Sequence, residues 1–291
     1  MKQPPDIAVV VVSYQTVDLL PACLQSIEAD LSAHKEVFLV DNASTDGSAE
    51  LVARDFPGVR LIANSENRGF GAANNQAFRL ASARLLYCLN PDATIAPGTL
   101  AALVREMEAH PEIGLAGTAI VHPDGQKQPS TDTTYPNQRI AGFDSTGLPG
   151  DLACVLGASM VLRRDLLPAL GGGFDEDFFL YGEDQDLGLR VRQAGFQVGY
   201  FPHITVTHLS AQSERSHSSY DRWKRKLTAE YIFYRKHYSP KGVARIRRRH
   251  LVKSLWALTT NLPGLWLGRE SALERQAKYR AILDTAGHPP V

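Results

Sequence analysis

The first ninety residues alternate between short unbroken apolar runs and longer stretches in which apolar residues recur every three or four positions. Residues 7–12 form such a run, closed off by Pro5 and Ser13, and read as a strand buried on both faces. Leu20, Cys23, Leu24 and Ile27 follow at helical spacing. Residues 36–40 read as a second strand ending at Asp41 and Asn42, after which Ser44 can cap a helix to about residue 54. Residues 59–63 read as a third strand, a helix runs from Arg68 to about residue 83, and 85–89 read as a fourth strand. Strands and helices alternating at this interval predict an α/β fold, a Rossmann-like, mostly parallel sheet with helices on both faces. Ligands of such sheets bind beyond the carboxyl ends of the strands. Those positions are polar here: Ser13 and Tyr14, Asp41 and Asn42, then Asn90 and Asp92.

Further along, the pattern loosens. Residues 117–151 are rich in Gly, Pro, Ser and Thr and predict a long loop, the kind that is functional or mobile. Residues 156–162 read as a buried strand, and 198–208 alternate weakly. Between them, residues 172–187 interleave six carboxylates with Phe174, Phe178, Phe179, Leu180 and Tyr181. Aromatic side chains bury and carboxylates resist burial, so the stretch reads as an acidic wall on a packed base. Leu187, Leu189, Val191 and Ala194 then continue at helical spacing to a stop at Gly195, which puts Glu183 and Asp184 in a first helical turn. Ordinary helix-start acids facing water would look the same.

Composition narrows the class. With 291 residues, 44% apolar and 21% charged, the chain is globular, long enough for one large domain or two smaller ones. Net charge is zero, yet residues 222–253 hold twelve Lys or Arg against one acid, Glu230, an excess of +11. Three isolated cysteines argue for a reducing compartment and against zinc or a disulfide framework. The N-terminal apolar run is too short for a signal peptide and no stretch is long enough to span a membrane, so a cytoplasmic protein is expected.

The candidate chemistry lies at the strand ends. Asp92, in Leu89-Asn-Pro-Asp-Ala93, follows a hydrophobic strand and can hold a divalent cation together with phosphate oxygens, or simply belong to an Asn-Pro-Asp turn. Asp41 can meet a pyrimidine N–H or a ribose hydroxyl, or form an Asx-turn. Gly69-Phe-Gly71 reads GxGxxN and is rejected as a dinucleotide fingerprint, although Arg68 at a helix start can sit near a diphosphate. His208 closes a Thr-Val-Thr alternation as either a structural histidine or a metal ligand.

Taken in order, Val11-Val-Ser-Tyr14, Val40-Asp-Asn-Ala-Ser-Thr-Asp-Gly-Ser48, Asn67-Arg-Gly-Phe-Gly-Ala-Ala-Asn-Asn75 and Leu89-Asn-Pro-Asp92 form a recognisable series. Gly157-Ala-Ser-Met160, Gly173-Phe-Asp-Glu-Asp-Phe-Phe-Leu-Tyr-Gly-Glu-Asp-Gln-Asp-Leu187 and Val206-Thr-His208 continue it. Over roughly residues 7–210 the chain resembles a family 2 glycosyltransferase of the rhamnosyltransferase-like branch. The resemblance implies a GT-A fold, a nucleotide-diphosphate sugar donor and transfer with inversion assisted by a divalent metal, Mg or Mn. Carried over residue by residue, it implies that Asp41 contacts the base with Ser13 and Tyr14 beside it, and Asn67 and Arg68 are grouped with these nucleotide-binding residues. Asp92 matches the last acid of the metal-binding motif, with Asn90 where the fuller motif has an acid, and His208 matches a histidine that joins the metal or diphosphate. Asp184 matches the catalytic base, and Glu183 is assigned to the acceptor. Inverting transfer does need a base on the acceptor side and charge neutralisation on the leaving-group side.

The expected organisation is therefore a transferase domain over residues 1–212 and a helical, basic extension over 213–291. The leading reading moves rhamnose from dTDP-rhamnose onto a polysaccharide or lipid-linked glycan. A UDP-hexose donor on the same fold is one alternative, and a nucleotide-sugar-binding module without catalysis is another. A sugar nucleotidyltransferase is disfavoured, because no Gly-rich N-terminal phosphate loop with a following Lys is present. In the tail, basic residues running into Trp256, Leu262, Leu265, Trp266 and Leu267 suggest an interfacial helix on an anionic leaflet of the cytoplasmic membrane face. A basic helix packed on its own domain or on a homodimer partner is the competing reading. Nucleic acid is not expected, since no basic-aromatic interleaving lines the cleft.

Overall fold

A computed structural model describes residues 3–209, 218–262, 266 and 270–290. The elements of the first two-thirds are β1 (Ile7–Ser13), α1 (Leu20–Ala29), β2 (Lys35–Asp41), α2 (Ser48–Asp55), β3 (Arg60–Ala63), α3 (Phe70–Leu80), β4 (Leu85–Leu89), β5 (Ala93–Ile95) and α4 (Thr99–Ala109). There follow β6 (Ile113–Val121), β7 (Lys127–Gln128), β8 (Thr131–Asp132), α5 (Gln138–Ala141), β9 (Cys154–Val155), β10 (Ser159–Arg163), α6 (Glu183–Gln193) and β11 (Gln197–His208). The described C-terminal helices are α7 (Ser219–His237), α8 (Pro240–Thr260) and α9 (Glu270–Gly287). The chain separates into two compact units, one of residues 1–133, 148–179 and 183–213, the other of 134–147, 180–182 and 214–291. The expected boundary at 212/213 lies outside the described residues.

The first unit is built on a nine-stranded sheet in the order β3-β2-β1-β4-β10-β6-β11-β5, with β7 on β6. β3, β2, β1 and β4 run parallel, as do β6 and β11, while β10 is antiparallel to both its neighbours. The fold is thus α/β with helices on both faces. Ile7, Val9 and Val11 of β1 point to one core with α1 and α4, and Ala8 and Val10 to the other with α3 and α6. Alternation along one strand therefore feeds two cores, which is why β1 has to be apolar throughout.

Several predicted boundaries move. The second helix begins at Ser48 behind Gly47, because Asp46, not Ser44, accepts the Ser48 amide and hydroxyl (3.1 and 2.7 Å). The strand expected over 156–162 starts at Ser159, after a turn. Most of all, the stretch read as a loop from 117 opens inside β6, an interior strand of the sheet, with β7, β8 and α5 beyond it. Its Ile-Gly-Leu-Ala-Gly-Thr sequence hides the strand, yet glycine is required there: a Cβ on Gly117 would lie 2.7 Å from Val155 Cβ.

The second unit packs on aromatic rings. Tyr135 stacks on Phe233 and Tyr234 on Tyr238, with centroids 5.8 and 5.6 Å apart. Asn137 donates to the Tyr234 hydroxyl (2.6 Å), which itself donates to Glu230, and Tyr238 donates to the Pro136 carbonyl (2.7 Å). α9 lies against α7 and α8. Among the described residues no helix is long and apolar enough to cross a membrane.

Gly69 and Gly125 share a positive φ, +82° and +83°, and Gly69, with ψ of 174°, lies in a region essentially reserved for glycine. A Cβ on Gly125 meets nothing within 4 Å, whereas one on Gly69 would lie 2.3 Å from the Phe179 carbonyl oxygen. Gly125→Ala should cost only the left-handed backbone strain, about 1 kcal/mol. Gly69→Ala should cost a further ~1–3 kcal/mol for overpacking, read as a lower urea midpoint by far-UV circular dichroism. Equal losses in the two variants would show that the Phe179 contact does not constrain this loop.

Candidate active site

The carboxyl ends of β1, β2 and β4 carry the polar residues, and strand register sets their order. Ser13 and Asp41 are paired across β1 and β2, and Val11 is level with Leu89 of β4. Ser13 is buried, its hydroxyl bonded to Thr16 (2.8 Å), and its carbonyl accepts the Asn42 amide (2.8 Å). Tyr14 is exposed beside it. Asp41 is 2% exposed; Oδ2 accepts the Ser44 amide at 2.9 Å, while Oδ1 is buried with no hydrogen-bond partner. A buried carboxylate oxygen left open in this way is costly unless a ligand donor completes it.

Asn42 ties the next loop to this edge. Its Nδ2 donates to the Gly69 carbonyl (3.0 Å), and its Oδ1 accepts from Asn64 Nδ2 (2.9 Å). Asn67 Oδ1 accepts the Gly69 amide (3.0 Å), a local role that starts the chain into α3. The Arg68 side chain is exposed beside it. α3 itself begins at Phe70, so Arg68 precedes the helix. The glycines of the rejected fingerprint serve packing: Phe70 N–H donates to the Phe179 carbonyl (2.9 Å), and a Cβ on Gly71 would lie 2.8 Å from Phe174 Cβ. Asn75 clamps the same segment, donating to the Phe174 carbonyl (2.8 Å) and accepting its amide (2.9 Å). α3 thereby anchors the acidic-aromatic stretch.

After β4, Asp92 meets His208, the last residue of β11, with Oδ1 and Nε2 3.0 Å apart and both residues 7% exposed. The antiparallel pairing of β11 with β5, His208 opposite Ala93, brings them together over 116 residues of sequence. Gln128 Nε2 donates to the His208 carbonyl (2.8 Å), which turns its Oε1 toward His208 Nδ1 (3.2 Å). An Nδ1–H donated to Gln128 leaves Nε2 facing Asp92, where either a proton or a metal cation can sit between them, and a carbonyl on the far ring nitrogen is what histidine ligands commonly have. Asn90 Nδ2 lies 3.4 Å from the same Nε2. No group of three or more His, Cys, Asp or Glu placed to hold a metal ion is found among the described residues. The donor set is one carboxylate and one imidazole, which fits a Mg²⁺- or Mn²⁺-like ion completed by phosphate oxygens.

Glu183 and Asp184 open α6, in the predicted first turn. Burial pushes both carboxyls above the ordinary carboxylate range, and each also lies in the field of other acids. Their surroundings differ. Asp184 accepts the Gln185 amide (2.8 Å) and is held toward the anion by the Gly157 amide, whereas Glu183 Oε2 is buried without a partner. Glu183 is therefore the better holder of a proton and Asp184 the better anion. Asp186 is fully buried and pairs with Arg190 (2.6 Å), so it is committed to structure.

Asp184 also lines a small cavity of about 80 Å³ with Pro129, Ser130, Thr131, Asp132, Cys154 and Leu156. The antiparallel β8–β9 pair forms this wall, with Asp132 opposite Cys154 and the Cys154 thiol pointing at Asp132 Oδ2 (3.9 Å). Asp132 and Gln128 are the site residues missed in the sequence, because their two-residue strands leave no periodicity. The paired turn at Gly157-Ala158 joins the two halves of the site: the Ala158 carbonyl accepts the Asn90 amide (3.0 Å), and the Gly157 amide supports Asp184.

Comparisons with known proteins give the family and the fold. The family model described as Glycosyl transferase family 2 matches residues 8–171. Among curated proteins, the N-acetylglucosaminyl-diphospho-decaprenol L-rhamnosyltransferase of Mycobacterium tuberculosis is 28% identical over 240 residues, 70% of this chain and 76% of the relative. The O-antigen biosynthesis protein RfbC of Myxococcus xanthus is 29% identical over 257 residues, 82% of this chain but 20% of that longer protein. Among solved structures, the mannosyltransferase PcManGT from Pyrobaculum calidifontis, in complex with GDP-Man and Mn²⁺, aligns with TM-score 0.62 at 19% identity over 98% of this chain and 87% of that one. That likeness concerns the fold, which is GT-A.

The raised Glu183 and Asp184 carboxyls favour the folded state while protonated. Their contribution is whole below the ordinary carboxylate pKa and is lost as pH rises through the raised folded value. Glu183→Gln removes one titrating group. Its stability relative to wild type should therefore climb, on the order of 1 kcal/mol or more, between about pH 5 and about pH 8. Urea titrations at both pH values measure the slope; a pH-independent difference would mean that Glu183 is not held in its protonated form.

Proposed function

This chain belongs to glycosyl transferase family 2, and on that premise we propose that it transfers rhamnose with inversion from a dTDP donor to a lipid-linked glycan, Asp184 acting as base. The observation that carries the reading is the pair of acidic positions at the carboxyl edge of the sheet, Asp92 set 3.0 Å from His208 and Asp184 lining the 80 Å³ cavity. The first suits a leaving diphosphate and the second an incoming hydroxyl. Donor and acceptor class are inferred from the likeness to the mycobacterial rhamnosyltransferase, whose name specifies an N-acetylglucosaminyl-diphospho lipid and L-rhamnose. A lipid-linked acceptor puts the reaction at the cytoplasmic membrane face.

In this reading the open Oδ1 of Asp41 accepts the N3–H of the pyrimidine, Tyr14 lies against the base, and Ser13 holds the turn through Thr16. Asn67 shapes the loop that presents Arg68 to the diphosphate. Asp92 and His208 would hold a divalent cation, which would supply charge neutralisation on the leaving diphosphate. Asp184 takes the proton of the acceptor hydroxyl as its oxygen attacks the anomeric carbon from the face opposite the departing diphosphate. Glu183, whose carboxyl burial pushes above the ordinary carboxylate range, stands beside it on the acceptor side. Asp132, across the 80 Å³ cavity from Asp184, accepts a hydrogen bond from a neighbouring acceptor hydroxyl and helps keep Asp184 basic. The cavity admits a hydroxyl and the edge of a ring, so the rest of the acceptor lies outside it.

Asp184→Asn should lower kcat by roughly 10²–10⁴-fold with donor affinity nearly unchanged. Asp132→Asn should act mainly on the acceptor KM, by about ten-fold. Radiolabel transfer from dTDP-rhamnose to a lipid-linked N-acetylglucosamine diphosphate, with UDP-hexoses in parallel, measures both and the donor choice. Retention of most turnover in Asp184→Asn would remove it as base.

Asp92→Ala should abolish the gain in dTDP affinity that Mn²⁺ confers on the wild type, which calorimetry with and without the ion reads directly. A gain from Mn²⁺ that survives in the variant would place the cation elsewhere.

A further inference from the structure

α8 is turned inside out for a helix of a water-soluble protein. At ~100° per residue, Gly242, Ile246, Ala257, Asn261 and Ser254 cluster on one side, and all five are buried. Asn261 donates to the Ala272 carbonyl (2.7 Å) from that side. The opposite side holds Val252, Leu255 and Trp256, exposed by 63, 54 and 63%, with Thr259 among them. Arg248 falls on the same line one turn earlier and Arg249 at its edge, both exposed. Past the end of the helix Leu262 and Trp266 are exposed too.

The basic residues of the tail divide by what they touch. Arg245 donates to the Ala141 carbonyl and Arg247 to those of Ala286 and Gly287 (2.7 and 3.1 Å), so they hold the unit together. Arg235 donates to the Pro290 carbonyl (2.7 Å), and Lys226 and Lys278 lie over the Tyr181 and Trp223 rings. The charge excess seen in the sequence is therefore partly structural, while Arg248 and Arg249 stand exposed beside the apolar patch.

We propose that this face of α8 docks in the plane of an anionic lipid surface, with Val252, Leu255 and Trp256 among the acyl chains and Arg248 and Arg249 at the phosphates. Charge complementarity selects lipid over a second copy of the chain. α8 carries six Lys or Arg and no carboxylate, and none occurs between Glu230 and Glu270. A partner α8 laid on this face would offer only cations to Arg248 and Arg249. Leu and Trp on one face with arginines beside them match the pattern of helices that lie in a membrane interface. The proposal deepens the reading of a lipid-linked acceptor but rests on a different observation, and it can stand if the donor or acceptor proves to be another sugar.

Co-sedimentation of the full chain with vesicles tests it. Wild type should pellet with mixed phosphatidylglycerol and phosphatidylcholine vesicles and far less with phosphatidylcholine alone. Leu255→Ser with Trp256→Ser should weaken partitioning about ten-fold or more at any salt concentration. Arg248→Gln with Arg249→Gln should weaken it about ten-fold at low salt and little at high salt. Unchanged far-UV dichroism shows that the variants are folded, as expected for exposed positions. Failure of folded wild type to pellet, or unchanged pelleting of the Leu255/Trp256 variant, overturns the proposal. So does a wild-type dimer in size-exclusion chromatography that the same variant converts to monomer. Transfer to a soluble acceptor, measured in parallel, reports on the enzymatic reading separately.

Discussion

The site depends on one antiparallel pairing, that of β10 with β4. It sets Ser159 level with Leu89, so the turn that precedes β10 lies at the carboxyl end of the parallel strands. The Ala158 carbonyl of that turn then accepts the Asn90 amide, on the strand end that leads to Asp92. A buried hydroxyl chain from Tyr87 through Ser159 to Thr118 (2.8 and 2.7 Å) crosses β4, β10 and β6 and keeps the register from slipping. A slip of one residue would turn every side chain of β10 to the other face and move the turn with it.

The carboxylates of the site are chemically alike in water, and the fold makes them different. Asp41 has one oxygen bonded to a backbone amide and the other open, Asp92 faces the His208 ring nitrogen, Asp184 accepts the Gln185 amide, and Glu183 Oε2 is buried without a partner. Four carboxyls thus meet four environments, and each environment weighs charge and proton differently. Burial supplies the energy scale, because unsatisfied charge in a low-dielectric site is expensive.

The second unit solves a different problem. Its helices are joined by tyrosines, a phenylalanine and arginine-to-carbonyl bonds, with small or polar residues such as Gly242, Ser254 and Asn261 on the inward side of α8. Because packing uses those residues, the large apolar ones are left outward. That inversion gives α8 a surface for something other than its own core.

Much was legible in order along the chain. The strand ends at Ser13, Asp41 and Asp92 follow from unbroken apolar runs closed by polar residues, and the first turn of α6 follows from periodicity, because these signals are local. β6 was not legible, since Gly114 and Gly117 break its pattern and their need comes from Leu166, Phe196 and Val155, distant in sequence. Nor were Gln128 and Asp132, on strands of two residues each. The amino-acid sequence by itself determined the parallel half of the sheet, the family and the residues able to carry charge chemistry. Only the tertiary structure decided that His208 meets Asp92, that Asp132 shares a cavity with Asp184, and which arginines of the tail face outward. Those outcomes depend on register and packing between segments far apart in the chain, which no local periodicity encodes.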